Sequence, residues 1–158
     1  MYKMKNILIT GGTGFIGLNL IKELSYNYKV PCSNIFVLTR KKNFFVKDNE
    51  YKLFSKINYI QGDINDFKTN IKFNQIYHLA YDTSIKEEFL KYTSKTILNG
   101  IINIAKICEN SDAKKLIFLS SGAVYENTKS KGFKEKDTLG FNLFNSEEHY
   151  GILKAASE

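Results

Sequence analysis

A glycine-rich turn close to the amino terminus limits the possible folds of this chain more than any other feature. Residues 6–17 form an apolar, β-branched run, then a segment with four glycines that leads into a helical pattern. Gly11 and Gly12 permit a tight turn from strand to helix, and Gly17 permits close packing of the helix on the strand. Gly14 permits a pyrophosphate to approach the backbone at the helix N-terminus. The pattern predicts a phosphate-binding strand, turn and helix, with a purely structural turn as the alternative.

Apolar runs and helical patterns alternate along the rest of the chain. The strand-like runs cover residues 6–10, 34–39, 57–61, 75–80 and 115–120, and the helical patterns cover residues 15–25 and 85–109. Continuous apolar runs of this kind are typical of parallel strands that are buried on both faces. The order predicts an α/β fold, a Rossmann-type doubly wound parallel sheet of about five strands, in one domain over residues 1–158.

Composition excludes several other classes of protein. The chain has 158 residues, of which 43% are hydrophobic and 25% are charged, values typical of one globular domain. It contains no apolar run of the roughly 18 residues that span a bilayer, so we expect no membrane association and a cytoplasmic protein. Cys32, Cys108, His78 and His149 lack the spacing of metal ligands, and we expect no metal site.

The net charge of +7 results from 23 basic and 16 acidic residues. A positive charge of this size is compatible with a polyanionic partner. However, all the basic residues except Arg40 are lysines, and they are scattered along the chain instead of forming a basic run or an arginine cluster. The sequence therefore argues against nucleic-acid binding.

Further motifs follow the glycine turn in chain order. They are residues 62–64 (Gly-Asp-Ile), 78–80 (His-Leu-Ala), 120–125 (Ser-Ser-Gly-Ala-Val-Tyr) and 150–154 (Tyr-Gly-Ile-Leu-Lys). With the glycine turn, this set resembles the extended short-chain dehydrogenase/reductases, in particular the NAD-dependent epimerase/dehydratase family that modifies nucleotide-linked sugars. The resemblance covers the whole chain.

The resemblance implies a nicotinamide dinucleotide cofactor and a nucleotide-linked sugar as substrate. It assigns the cofactor to Gly11, Gly14, Phe15, Ile16, Gly17, Asp63, Ile64, Leu79, Ala80, Tyr150 and Lys154. In the family, the aspartate of the motif at 62–64 contacts the adenine, which corresponds here to Asp63. A capping aspartate for the segment that follows is the alternative for this residue.

Tyr150 and Lys154 are four residues apart, so on a helix beginning near residue 146 they share one face. A cation one turn from the phenol favours its deprotonated form, which makes Tyr150 a usable base. The resemblance implies that Tyr150 exchanges a proton with the substrate oxygen and that Lys154 also holds the nicotinamide ribose. Ser121 would donate a hydrogen bond to the same oxygen, with Ser120 as its competitor.

Two departures from the family pattern narrow the expected reaction. Sugar 4,6-dehydratases and related decarboxylases carry an acidic residue where this chain has Gly122 and Ala123. Dehydration is therefore disfavoured, which leaves 4-epimerisation or reduction of a 4-keto sugar. Ile97 replaces an asparagine that many members carry, and the subgroup stays open.

Arg40 bears on the choice between NAD(H) and NADP(H). It follows the second predicted strand, where an acidic residue would bind the ribose hydroxyls of NAD, and Lys41 and Lys42 come directly after it. A guanidinium at this position suits a 2′-phosphate. We expect NADP(H) to be preferred over NAD(H), with a solvated basic loop as the alternative.

The chain ends about two turns into the helix of Tyr150, whereas the family continues with a sixth strand and a substrate domain. We therefore expect the cofactor-binding part of a larger enzyme, incomplete at its carboxyl end and lacking the C-terminal substrate domain. Such a part would be inactive alone, and strand five would expose apolar surface. The full-length enzyme is expected to be a homodimer. The alternative function is a catalytically silent dinucleotide-binding module of the same fold.

Overall fold

The computed structural model describes residues 5–40, 51–81, 89–125, 132–136, 141, 145 and 148–158. The strands within these ranges are β1 (Ile7–Thr10), β2 (Ile35–Thr39), β3 (Asn58–Gln61), β4 (Gln75–His78) and β5 (Lys115–Phe118). The helices are α1 (Phe15–Tyr26), α2 (Tyr51–Phe54), α3 (Phe89–Ser111) and α4 (His149–Ala155), with 3₁₀ turns at Cys32–Asn34 and Gly122–Val124.

The strands form one parallel sheet in the order β3-β2-β1-β4-β5. β1 lies at the centre, where Ile7 pairs with Ile35 of β2 on one side and with Gln75 of β4 on the other. The chain therefore builds the sheet outward from β1 in one direction and then in the other. The predicted doubly wound α/β fold is confirmed, and the reversal beside β1 is where such sheets bind ligands.

A hydrophobic core lies on each face of the sheet. Ile7 and Ile9 of β1 belong to the core that contains Ile21 and Leu24 of α1. Leu8 belongs to the core on the opposite face, which contains Ile104 and Ile107 of α3. Alternate side chains of a strand point to opposite faces, so the continuous apolar run of β1 serves both cores.

The prediction that the strands are buried on both faces is wrong for β3 and β5, the two outer strands of the described sheet. β3 alternates between half-buried and exposed residues, and Tyr59 is 37% exposed. In β5, Lys115 is exposed and Leu116 is 40% exposed. Each of these strands pairs with one neighbour within the described part of the chain, and both are less covered than β1.

The long helix predicted over residues 85–109 corresponds to α3, and the part of the prediction before Phe89 lies outside the described residues. Ile97, Gly100 and Ile104, on one face of α3, are buried. None of the helices in the described ranges has the length and apolar character needed to cross a membrane.

Candidate active site

A cavity of about 500 Å³ opens at the carboxyl edge of the sheet, beside β1. Every residue that the sequence assigned to cofactor binding lines it, namely Gly11, Gly14, Phe15, Ile16, Gly17, Arg40, Asp63, Ile64, Leu79, Ala80, Tyr150 and Lys154. The ends of parallel strands meet at one edge, which is why motifs so distant in sequence converge there. Thr10, Tyr81 and Ser120 also line the cavity and were not assigned to the cofactor.

Gly11 makes the turn out of β1 and lies against the end of β4. Its φ is +71°, a conformation that residues with a Cβ rarely adopt. A Cβ at Gly11 would also lie 2.7 Å from the backbone nitrogen of Ala80. The turn therefore requires glycine for two reasons. Because Gly11 has no Cβ, the backbone of Leu79 and Ala80, which forms one wall of the cavity, lies against the turn.

The other glycines of the turn have separate roles. A Cβ at Gly17 would lie 2.4 Å from the carbonyl oxygen of Gly11, so α1 packs on the turn as closely as the sequence predicts. A Cβ at Gly12 would lie 2.8 Å from the side chain of Val37 in β2. Gly12 is therefore needed for packing against β2, in addition to any part in the turn.

Gly14 is different because the protein itself leaves room for a side chain there. A Cβ would come no closer than 3.4 Å to another group, the Gly11 carbonyl oxygen. Gly14 lines the cavity and caps α1, whose first turn has backbone N–H groups without intrahelical acceptors. Donors and space at a helix N-terminus fit a pyrophosphate group, which supports a dinucleotide at this position.

A buried hydrogen-bond group joins the ends of β1 and β4 beneath the cavity. The Thr10 hydroxyl oxygen accepts from the Ala80 N–H at 3.1 Å and lies 2.7 Å from Nδ1 of His78. Burial, and to a smaller degree the charge of Lys154, lower the pKa of His78 to about 4. His78 is therefore neutral near pH 7 and connects two walls of the cavity.

Asp63 and the turn that follows β3 form the end of the cavity that the sequence assigns to adenine. One carboxylate oxygen of Asp63 accepts from the Asn65 backbone N–H at 2.9 Å and from the Asn65 side-chain amide at 2.7 Å. Asp63 thus caps its turn and also lines the cavity. The two sequence interpretations of Asp63 are compatible in this structure.

Arg40 follows the last residue of β2, Thr39, and is exposed at the rim of the cavity. Thr39 is buried, so the chain leaves the protein interior at Arg40. Lys41 and Lys42, which the sequence placed behind Arg40, lie outside the described residues.

Tyr150 and Lys154 lie on one face of α4, as their spacing predicts. The ammonium of Lys154 is 5.9 Å from the centre of the Tyr150 ring. Lys154 is only 4% exposed, and its ammonium donates to the carbonyl oxygen of Leu119 at 2.9 Å. Burial lowers the pKa of Lys154. Helix α4 begins at His149, and the predicted start near residue 146 lies outside the described residues.

Aromatic rings surround the Lys154 ammonium. The centre of the Tyr81 ring lies 5.3 Å from the nitrogen and that of the Phe118 ring 4.7 Å, both within the range of cation–π attraction. The Tyr81 ring also lies 4.9 Å from the Tyr150 ring. Sequence reasoning missed Tyr81, although its position directly after the motif at 78–80 could have indicated it.

The two serines after β5 occupy different positions. Ser120 lines the cavity, and its hydroxyl donates to the carboxylate of Glu158. The Ser121 hydroxyl oxygen accepts from the Ala123 N–H at 3.2 Å and caps the turn at Gly122–Val124. The structure therefore brings Ser120 to the cavity wall, whereas Ser121 lies next to it in the cap.

Residues 7–158 match the NAD dependent epimerase/dehydratase family, and the chain belongs to that family. UDP-glucose 4-epimerase from Vibrio cholerae is 30% identical over 98% of this chain and 45% of its own length. Human dTDP-D-glucose 4,6-dehydratase is also 30% identical, over 98% of this chain and 45% of its own length. The family thus includes nucleotide-sugar epimerases and dehydratases.

The fold is also similar to that of solved structures, again over about half of their length. The crystal structure of UDP-glucose 4-epimerase from Bifidobacterium longum in complex with NAD⁺ and UDP superposes with a TM-score of 0.73 and 21% identity. The match covers 96% of this chain and 46% of that protein. The chain therefore has the fold of these enzymes but spans less than half the length of the relatives compared.

Proposed function

We propose that this chain is the cofactor-binding part of an enzyme that transfers hydride at a carbon of a nucleotide-linked sugar, as a 4-epimerase or a 4-keto reductase. One observation carries the proposal: the Tyr150 and Lys154 pair lines the same cavity as the glycine turn. A phosphate cradle and a phenol beside an ammonium can together carry out nicotinamide-dependent oxidation of an alcohol.

The fit of the cavity indicates which residues would hold the cofactor. The N–H groups at the start of α1, together with Gly14, suit its pyrophosphate, and Asp63, which also lines the cavity, is proposed to contact the adenine. When bound, a nicotinamide dinucleotide supplies the acceptor and donor of hydride. The remaining chemistry, the movement of one proton at the substrate oxygen, is assigned to the residues of this chain.

Tyr150 is the proposed proton carrier, and Lys154 is the group that makes it effective. Lys154 places a buried ammonium 5.9 Å from the centre of the Tyr150 ring, where few waters screen its charge. Tyr150 would take the proton from a sugar hydroxyl during oxidation and return it during reduction.

Ser121 is proposed to donate a hydrogen bond to the same substrate oxygen. Its hydroxyl oxygen already accepts from the Ala123 N–H, a bond that leaves its own proton for another acceptor. Ser120, in contrast, donates its proton to Glu158. This difference supports Ser121 as the donor even though Ser120 lies on the cavity wall.

The choice of epimerisation or reduction over dehydration rests on Gly122 and Ala123. Neither side chain can act as an acid or a base, and both residues are exposed in the turn after β5. Dehydration requires a group that moves a second proton, and these positions cannot provide it.

A preference for NADP(H) over NAD(H) is the finer part of the proposal. It is supported by the position of Arg40 on the rim of the cavity, where β2 ends. A guanidinium there can form charge-assisted hydrogen bonds with a 2′-phosphate. We further propose a substrate-binding domain, a homodimer and a cytoplasmic location for the full-length enzyme.

The test compares the full-length natural protein with its Tyr150→Phe variant on a 4-keto or 4-hydroxy sugar nucleotide. Turnover should fall at least about a hundredfold because the ring stays but the proton carrier is removed, whereas cofactor affinity should change less than about twofold. Tyr26→Phe, on the exposed part of α1, is the matched control and should retain the natural rate.

Three outcomes would contradict parts of the proposal. A Tyr150→Phe enzyme with a near-normal rate excludes Tyr150 as the proton carrier. A natural protein that binds the dinucleotide but exchanges no hydride with any nucleotide sugar favours the silent dinucleotide-binding module. Robust turnover by residues 1–158 alone would contradict the expectation that this part lacks the substrate site.

A further inference from the structure

Asn103 lies on α3 and contacts the turn that follows β3. Its side-chain nitrogen donates to the carbonyl oxygens of Ile64 and Phe67, each at 2.9 Å. A side-chain amide has two N–H donors, so both donors of Asn103 are used on this one turn. The partners lie 39 and 36 residues earlier in the chain, so these bonds join separate elements.

The turn that Asn103 holds is the wall of the cavity at the adenine end. Asp63 and Ile64 line the cavity, and the Phe67 N–H donates to the carbonyl oxygen of Asp63 at 2.8 Å. Asn103 thus binds the carbonyl groups of a turn whose other backbone bond fixes Asp63. Movement of this turn would move the Asp63 carboxylate relative to the glycine turn.

Helix α3 contacts this turn from two successive helical turns, at Gly100 and at Asn103. A Cβ placed on Gly100 would lie 3.5 Å from the Ile64 side chain, which is itself buried. Asn103 follows Gly100 by about one helical turn and contacts the turn through polar bonds instead. The support matters because β3 is an outer strand of the described sheet and is itself only partly buried.

We propose that Asn103 is a positioning residue for the adenine half of the cofactor site. It acts through the backbone of residues 63–67, which it holds so that Asp63 faces the cavity. This inference rests on the proposed function, because it assumes a dinucleotide whose adenine binds at the Asp63 end.

Calorimetry on the full-length natural protein tests the role with Asn103→Leu, which removes both donors at similar size. Kd should rise about tenfold for the dinucleotide and for ADP, the loss expected when one positioned contact is weakened. Kd for nicotinamide mononucleotide should change less than about twofold, since this ligand does not reach Asp63. Asn99→Leu makes the same substitution at an exposed position of α3 and should leave all three values unchanged.

The fragment comparison separates positioning from general damage. If the Asn103→Leu protein does not fold, Asn103→Ala, which leaves room for water at the two carbonyl groups, is measured in the same way. Unchanged ADP affinity, or equal weakening of both fragments, would overturn the role of Asn103. If the natural protein binds neither the dinucleotide nor ADP, the proposed function itself fails.

Discussion

The glycine turn of residues 11–17 follows β1, the buried centre of the sheet, whereas residues 119–125 follow β5, an outer strand of the described sheet. We call residues 119–125 together with residues 149–158, which include the residues proposed for catalysis, the catalytic end. In the glycine turn, atoms of the backbone approach so closely that a Cβ on Gly17 would lie 2.4 Å from a carbonyl oxygen. In the catalytic end, polar side chains make the connection: Lys154 binds the carbonyl of Leu119, and Ser120 donates to Glu158.

The comparison teaches that two parts of one cavity can depend on different physical properties of the chain. The glycine turn is closely packed because its glycines permit backbone contacts that a residue with a Cβ does not allow. The catalytic end depends on a buried ammonium that must find its acceptor across the fold. One backbone contact does occur there, since a Cβ on Gly151 would lie 2.1 Å from the Ala123 carbonyl oxygen.

The largest expected effect comes from placing a methyl group in each region. Gly17→Ala should lower the free energy of unfolding by about 3 kcal/mol because α1 must move away from the turn. Gly122→Ala, in the catalytic end, should change it by less than about 0.5 kcal/mol because nothing lies within 4 Å of the new Cβ. Urea denaturation measures the free energy of unfolding of both variants. Similar losses in the two would contradict the proposed difference between the regions.

His78 lies between the two regions and should make stability depend on pH. Its pKa is about 4 in the folded protein and 6.5 ordinarily, so the unfolded chain binds the proton more readily between these values. The free energy of unfolding should therefore fall by about 3 kcal/mol from this group as the pH drops from 6.5 to 4.

The measurement is urea denaturation at pH 7 and pH 4. His78→Gln should remove this part of the loss, whereas His149→Gln, on α4, should retain it. A His78→Gln protein that loses as much stability on acidification as the natural one would show that other groups cause the loss.

Gly14 differs from Gly17 although both lie in the glycine turn. Because the protein leaves space at Gly14, Gly14→Val should change stability by less than about 1 kcal/mol, in contrast to Gly17→Ala. The side chain would block the pyrophosphate, so the Kd of the dinucleotide should rise roughly a hundredfold. Calorimetry on the folded variant measures this Kd. A Kd equal to that of the natural protein would exclude the glycine turn as the phosphate site.

Arg40 gives the smallest expected effect and tests the rim of the cavity. Arg40→Ala should weaken NADP(H) binding by about 2 kcal/mol and leave NAD(H) binding nearly unchanged. Arg40→Lys keeps the charge but not the fork of donors, so its affinity for NADP(H) should lie between those of the natural protein and Arg40→Ala. Equal weakening of both cofactors, or tighter binding of NAD(H) by the natural chain, would contradict the preference for NADP(H).

Most of the fold could be predicted because its signals are local. Each observed strand lies within a predicted apolar run, and α1 begins at Phe15 as expected. Helix α2 lies in no predicted helical pattern, and two strands end earlier than predicted: the runs at 75–80 and 115–120 give strands that end at His78 and Phe118. The residues that follow, such as Ala80 and Ser120, lie beyond the strand pairing and line the cavity, although they fall within the predicted runs.

The sequence by itself determined the parts of the site whose chemistry is written in neighbouring residues. The glycine turn and the four-residue spacing of Tyr150 and Lys154 are of this kind, because a turn or a helical face needs only local geometry. Tertiary structure alone decided the packing of Tyr81 and Phe118 around Lys154, the bond of Ser120 to Glu158, and the reach of Asn103 to the turn after β3. These contacts join residues more than 30 positions apart, and they form only when the packing of helices on the sheet brings their elements together.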